Sequence, residues 1–431
     1  MIILGIETSC DETALALVEA DGATPEKATF KIIGNAINSQ IKLHEQYGGV
    51  FPMIAKREHA KNLVPLFEKL LKDAGFYKKK EGILSDNLKA KIKEMLGKEH
   101  DLAETFISFL EKIEKPNINL ITFTYGPGLE PTLWVGINFA KALSIAWNIP
   151  AIAVNHMEGH VFSALLGREK NPKHQETITK KENSNPDASV GTPTEASELP
   201  LKKIEFPALA LLISGGHTEL ILIKNWLDYK IIGETKDDAV GEAFDKVARI
   251  LGLPYPGGPR ISALAEISRI EHGFNTDLHE KKQLRKSLFP LPRPMIHSND
   301  YNFSFSGLKT AVLYTVKKIP ELTDNIKQEI AFEFEESVTD VLLTKTKRAI
   351  DEFGIKTLLL GGGVVANKHI REAFNNLKNE HTDMAIYIPE SDLTTDNALM
   401  IALAGYSNFI AKRKSTHGID DIRATGNLKL S

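Results

Sequence analysis

Two histidines four positions apart, in His156-Met157-Glu158-Gly159-His160, put both imidazoles on one face if the segment is helical, a spacing that suits a divalent metal. With 13 histidines in 431 residues, about 0.4 such pairs arise by chance, so the pair needs a third ligand before it carries weight. Asp396, in Thr394-Thr395-Asp396-Asn397, supplies one if it opens the last helix from a turn; its competing role is an ordinary N-cap. Glu158 lies between the histidines rather than directly after the first, which is not the His-Glu-x-x-His order of zinc proteases. Asp11 and Glu12 are the other acids at a tight turn, either capping it or handling a proton. Cys10 beside them reads as a packing residue, since no histidine is near it in sequence.

Three glycine clusters could meet a ligand with backbone. Ser214-Gly215-Gly216 joins two apolar runs and leaves N–H groups free of any Cβ. Gly361-Gly362-Gly363 stands between a strand and a helix beginning near Asn367, where backbone donors and the helix dipole favour a nucleotide. No Gly-Lys-Ser/Thr follows it, so it is not a Walker A loop. Tyr255-Pro256-Gly257-Gly258-Pro259 follows Asp245 by ten residues; a carboxylate there suits the hydroxyls of a ribose and repels a phosphate. Each cluster has a plainer reading as a hairpin turn or a helix boundary.

The elements that must hold these residues alternate between strand and helix. Ile2 to Thr8 and Ala14 to Glu19 are apolar runs separated by a polar turn, which predicts a hairpin. Pro207 to Ile213 and Glu219 to Ile223 repeat that pattern about 200 residues later, which predicts a duplicated architecture. Ile118 to Tyr125 predicts a strand ending at Gly126-Pro127-Gly128, Thr132 to Trp147 a helix, Ala151 to Val154 and Thr357 to Leu360 further strands. The result is an α/β protein with mixed sheets. Residues 78 to 116, Lys/Glu-rich with Leu88, Ile92, Met95, Phe106 and Leu110 at helical spacing, predict a helical insertion. Residues 168 to 203 are polar and low in complexity and predict a disordered one.

A hydrophobic content of 42% with 25% charged residues is that of a soluble globular protein of two or three domains. The net charge of -3 gives no global attraction to nucleic acid, so any RNA contact must be a local basic patch. One cysteine excludes an internal disulfide framework, no basic leader opens the chain, and no apolar run approaches a membrane span. The expectation is a cytoplasmic protein with no membrane association.

Taken in order, Gly5 to Thr13, Leu43 to Val50, His156 to His160, Ser214 to Thr218, Gly241 to Lys246, Phe303 to Thr310 and Thr395-Asp396-Asn397 closely resemble the TsaD family. The resemblance spans nearly the whole chain outside the two insertions. It implies an actin/Hsp70/sugar-kinase-like fold of two lobes around a central cleft, with an N-terminal lobe of 1–152 completed by 398–431 and a C-terminal lobe of 153–397. It implies transfer of a threonylcarbamoyl group from threonylcarbamoyl-adenylate to N6 of adenosine 37 in tRNAs reading codons that begin with A, with release of AMP. By motif match His156, His160 and Asp396 would hold one iron or zinc ion, and Leu212, Ile213, Ser214, Gly215, Gly216, Asp245, Gly258 and Asn367 would contact substrate. Asp11 or Glu12 is the candidate base. A TsaB-like paralogue and a TsaE-like ATPase would be partners.

The chain departs from the family twice. Leu129 to Trp134 is bulkier and more acidic than the family's small-residue stretch, which bears on local packing and partner docking. Val365 stands where the family has a serine. The rival readings are a metal-dependent glycoprotein endopeptidase and a small-molecule kinase of the same fold.

Overall fold

The computed structural model describes residues 1–167, 199–271, 287–412 and 421–430. The chain divides into two compact units, one of Met1–Gln40, Val50–Lys203 and Asp396–Lys429, the other of Ile41–Gly49, Ile204–Thr395 and Leu430–Ser431.

The first unit is built on β1 (Ile2–Glu7), β2 (Glu12–Asp21), β3 (Thr29–Ser39), β4 (Leu120–Gly126), β5 (Ala151–Asn155) and β6 (Leu199–Pro200), in the order β5-β4-β1-β2-β3-β6. β1, β2 and β3 form an antiparallel meander, and β4 and β5 add to β1 in parallel. The second unit is built on β7 (Ala208–Ile213), β8 (Thr218–Asn225), β9 (Asp228–Glu234), β10 (Thr357–Gly361) and β11 (Ala385–Tyr387). Its order is β11-β10-β7-β8-β9, again an antiparallel meander followed by two parallel strands. Strand for strand, β7 to β11 repeat the connectivity of β1 to β5. The two hairpins legible in the sequence are therefore the first halves of two copies of one mixed α/β sheet, the duplicated actin/Hsp70/sugar-kinase-like architecture.

Near-continuous apolar composition explains why these strands are central. Residues 3–7 of β1 and all of β7 and β10 are fully covered, as expected where helices close both faces of a sheet. In the first unit the helices Pro52–Asp73 and Glu130–Trp147 cover one face together, with Phe67 against Phe139 and Trp147, and the helix Ala398–Ile410 packs on β1 and β2 from the other. Residues 78–116 fold as two helices, Asp86–Leu96, capped by the Ser85 hydroxyl, and His100–Leu110. They are no pendant: Phe106 packs on Phe139 and Phe109 on Phe67, so the insertion extends the core of its unit. The bulkier Leu129 to Trp134 segment is accommodated. Leu129 N–H donates to the Ser9 carbonyl, and Thr132 exchanges hydrogen bonds with the Thr8–Ser9 turn.

Two boundaries differ from the expected ones. The division falls at 203/204 rather than 152/153, because β5 completes the first sheet and carries the following helix His156–Leu165 with it, where that helix packs on Ala398–Ile410. Ile41–Gly49 belongs to the second unit, where Gly48 offers its carbonyl to the Arg249 guanidinium. The polar insertion expected at 168 to 203 falls outside the described residues except at its end. There Leu199 and Leu201 are buried and Leu199–Pro200 pairs with β3, so the apolar Leu-Pro-Leu is sheet rather than loop.

Candidate metal centre and a polar cavity

The helix His156–Leu165 starts directly from β5, and the Asn155 side chain caps it by accepting from the N–H groups of Met157 and Glu158. One helical turn separates His156 from His160, so their rings meet with centroids 4.7 Å apart and nearly perpendicular. Asp396 reaches them from the approach to the helix Ala398–Ile410. Two glycines allow that approach: a Cβ on Gly5 would lie 2.3 Å from the Ala398 carbonyl oxygen, and one on Gly159 would lie 2.9 Å from Met400 Cγ. The N-cap of this last helix is Asn397, whose side chain accepts from Met400 N–H. Asp396 is thus free of the capping role that its position in sequence allowed.

Asp396 Oδ1 lies 3.3 Å from His156 Nε2 and 3.3 Å from His160 Nε2, and the three candidate ligand atoms sit within 4.8 Å of one another. Bonds of about 2.0–2.1 Å to a tetrahedral ion set donor atoms about 3.3 Å apart, which the two Asp396–histidine separations match, with the third pair within 4.8 Å. His160 is fully buried: its Nδ1 has no hydrogen-bond partner among the described residues, and its Nε2 faces Asp396 Oδ1 at 3.3 Å, outside good hydrogen-bond geometry. An orphaned buried imidazole costs free energy that a metal bond would recover. Two imidazoles and one carboxylate with further positions open is the donor set of non-haem iron and of catalytic zinc sites. The residues fit one divalent ion.

The electrostatics of the metal-free site follow from crowding. Burial alone would lower the pKa of His156, but Asp396 on one side and Glu7 on the other raise it well above the ordinary value. His160 is held low by burial and by the charge on His156, which outweigh Asp396. Burial alone would raise Asp396, yet the two histidines drive it far below the usual carboxylate range. His156 is therefore an imidazolium between two carboxylates, and a metal must displace its proton. Because the folded pKa is raised, the stability that this proton confers on the metal-free chain is full below about pH 6.5 and is lost as pH rises through the folded value. Metal uptake should run the opposite way, tightening as pH rises through the same interval. Titrating Zn2+ into the metal-free chain from pH 6 to 8 in buffers of different ionisation enthalpy should show that rise with proton release. A pH-independent affinity without proton release would contradict it.

Asp11 is buried and Glu12, the first residue of β2, is half-buried. Burial first, then the charges of Asp11 and Asp396, push the Glu12 carboxyl well above its usual range. The turn carrying both is clamped by His59, fully buried on the helix Pro52–Asp73, with Nε2 3.0 Å from the Cys10 carbonyl and Nδ1 2.7 Å from Thr13 Oγ1. Burial and the surrounding acids raise the Cys10 thiol, which keeps it protonated and fits packing rather than nucleophilic attack. Glu158 points elsewhere: its Oε2 accepts from Asn408 Nδ2 at 2.7 Å.

In the second unit a cavity of about 570 Å³ is lined by Gly215, Asp245, Gly258 and Asn367, with Ser262 and Glu335 among its other walls. That size is ordinary for a small-molecule site. Gly215 and Gly258 present bare backbone, with open space where a Cβ would stand. Asp245 Oδ1 accepts from Gly257 N–H at 2.7 Å, tying the helix Val240–Ile250 to the start of Gly257–Glu271. Asn367 caps Lys368–Asn375 through Oδ1 and spends both amide hydrogens on Ser262 Oγ and Glu335 Oε1 at 2.7 Å. It builds the wall and holds no spare N–H.

The remaining candidates lie apart from the cavity lining. Leu212 and Ile213 are fully buried in β7, which leaves only their backbone to offer a ligand. Ser214 uses its N–H, carbonyl and hydroxyl within the turn and on Gly241, and Gly216 is exposed at the turn's tip.

A family model described as TsaD, tRNA N6-adenosine threonylcarbamoyltransferase, matches residues 31–81, 102–175 and 193–403. A relative of that name from Thermosipho africanus (strain TCF52B) is 38% identical over 431 residues, covering 100% of both chains. One from Bacillus subtilis (strain 168) is 37% identical over 432 residues, covering 100% of this chain and 96% of the relative. Among solved structures, T. kodakarensis HypF gives a TM-score of 0.44 at 11% identity, over 76% of this chain and 45% of that one. A ROK hexokinase from Thermus thermophilus gives 0.37 at 11%, over 96% and 100%. Both structures are too distant to carry an argument.

Proposed function

The chain belongs to the TsaD family of tRNA N6-adenosine threonylcarbamoyltransferases, and from that premise we propose that it moves the threonylcarbamoyl group of threonylcarbamoyl-adenylate onto N6 of adenosine 37 in tRNAs reading codons that begin with A. As a member it is a tRNA-modifying transferase. The observation that carries the finer reading is the convergence of His156 and His160 from one helix, and Asp396 from the approach to another, onto one point.

The N6 amine attacks the carbamoyl carbon, the bond from that carbon to the phosphate oxygen breaks, AMP leaves, and the amine gives up a proton. An exocyclic adenine amine is weakly nucleophilic, because its lone pair is delocalised into the ring. A bound iron or zinc ion, held by His156, His160 and Asp396, would supply Lewis-acid polarisation. Glu12 is the better placed of the two candidate bases to accept the proton, since its raised pKa brings it nearer neutrality. Burial is the largest cause of that shift, and the charge of Asp11 beside it adds to it. Asp245 and the open backbone at Gly215 and Gly258 accept the nucleoside of the adenylate, hydroxyls toward the carboxylate. A TsaB-like paralogue and a TsaE-like ATPase are the proposed partners and the cytoplasm the proposed location. No helix among the described residues is long and apolar enough to cross a membrane.

Mass analysis of the adenosine next to the anticodon, in tRNA from cells depleted of the protein, tests the reading. Loss of the threonylcarbamoyl mark is expected, and its persistence would refute the assignment. The endopeptidase reading makes a contrary demand, because a zinc protease needs its glutamate on the metal-bound water. Glu158→Gln keeps an oxygen for the Asn408 amide, so transfer should stay within about threefold of the parent, the loss of a typical single hydrogen bond or less. Metal-dependent cleavage of a glycoprotein that vanishes in Glu158→Gln would favour the rival.

A further inference from the structure

We propose that Glu7 is a positioning residue for the metal centre, fixing His156 as the tautomer that offers Nε2 to the ion. The inference rests on the metal reading above and extends it to a residue outside the ligand set.

Glu7 ends β1 and is fully buried. Its neighbours on that strand and the next, Leu4, Ile6 and Phe123, are apolar and equally buried. A carboxylate in such surroundings is costly unless both oxygens find donors. Here three donors use them. Ser9 N–H gives to Oε1 at 2.5 Å, Thr124 Oγ1–H to Oε2 at 2.5 Å, and His156 Nδ1 lies 3.1 Å from Oε2. An ionised carboxylate can only accept, so His156 Nδ1 must carry the hydrogen. Ser9 Oγ, 3.3 Å from the same nitrogen, can accept as well. With Nδ1 protonated, the neutral ring keeps its lone pair on Nε2, the atom that faces Asp396. The rotation of the ring is settled by the same bond. His160 has no comparable partner among the described residues, so orientation of the pair depends on His156.

Charge supports the same role. A divalent ion among two neutral imidazoles and Asp396 would leave one uncompensated positive charge in a buried site. Glu7 balances it, and a carboxylate behind a ligating imidazole raises the basicity of that ligand.

Glu7→Gln separates this from simple packing. Whichever way the amide lies, its NH2 replaces an acceptor, facing either Ser9 N–H or the Thr124–His156 side. Zinc titrated into the metal-free full chain should bind about ten- to hundredfold more weakly in Glu7→Gln than in the parent, with thermal unfolding showing a folded protein. Nitrogen NMR of the zinc-loaded parent, with His156 assigned by its loss in His156→Gln, should show a proton on Nδ1 and zinc on Nε2. This second readout decides the matter even if the variant does not fold. Equal zinc affinity in parent and folded variant, or zinc on Nδ1, would overturn the role of Glu7 and leave the metal site standing. A parent that takes up no zinc or iron would overturn both.

Discussion

His160→Ala should abolish transfer while barely disturbing the fold, and His156→Ala should abolish it at a visible cost in stability. Either change removes one of three protein ligands, so metal content per chain should fall toward zero. If the ion supplies several kcal/mol of transition-state stabilisation, transfer drops by at least about a hundredfold. Stability separates the two because their charge states differ. Burial holds the His160 pKa low, and its one charged contact is the 3.3 Å approach of Nε2 to Asp396, which keeps His156, so its removal leaves mainly a cavity, about 1–3 kcal/mol in a core of this extent. His156 is the cation between Glu7 and Asp396; without it the buried Glu7 keeps Ser9 N–H and Thr124 Oγ1–H but loses its positive partner, as the half-buried Asp396 does, a loss of about 3 kcal/mol. Asp396→Ala should lose metal and transfer alike, and the intact Asn397 cap removes helix fraying as an explanation. Metal analysis, transfer assays and denaturant unfolding on the three variants check this. Stoichiometric metal in His160→Ala, or parent-like transfer in either histidine variant, would sink the proposed centre.

The same contrast shows what the sequence could tell. The i, i+4 histidine spacing was sufficient to place both rings on one helical face, and the apolar runs of β1, β2, β7 and β8 were sufficient to find both hairpins. Asp396 and Asn397 are adjacent residues of equal capping ability, so their division of labour had to come from backbone geometry. Glu7 left a faint signal, an acid at the end of a run that is otherwise apolar. Its partner lies 149 residues away, which no local pattern reports. His59 is similar, a helical residue whose contacts at Cys10 and Thr13 are long in sequence. The division at 203/204 is illegible locally for a related reason. Local periodicity marks where β5 ends, but only pairing with β4 shows which sheet it completes. Asn367 was legible as the start of a helix, and the structure adds that capping and wall-building use up its side chain.

Gly258→Leu should eliminate binding of the adenylate donor and leave the protein as stable as before, or slightly more so. Gly258 is the second residue of Gly257–Glu271, where its backbone is already helical and a Cβ would meet nothing within 4 Å. Replacing glycine by a good helix former in such a place gains up to about 1 kcal/mol. The new side chain would start from the wall of the cavity that Gly258 lines with Gly215, Asp245 and Asn367. A leucine there takes volume from a space of about 570 Å³ and sets apolar atoms against the wall where ribose hydroxyls would meet Asp245. The neighbouring Gly257 behaves differently: its Cβ would lie 2.6 Å from that of Ala248 and 2.7 Å from Asp245 Cα, so Gly257→Leu should disrupt the two-helix contact itself. Equilibrium binding of AMP, the product carrying the same nucleoside, should weaken by at least about a hundredfold in Gly258→Leu, the loss of roughly 3 kcal/mol. Metal content, set by residues of the other unit, should stay at the parent level. If Gly258→Leu binds AMP as the parent does while folded, the nucleoside lies elsewhere, and the assignment of Gly215, Asp245 and Gly258 to substrate falls while the metal centre is untouched.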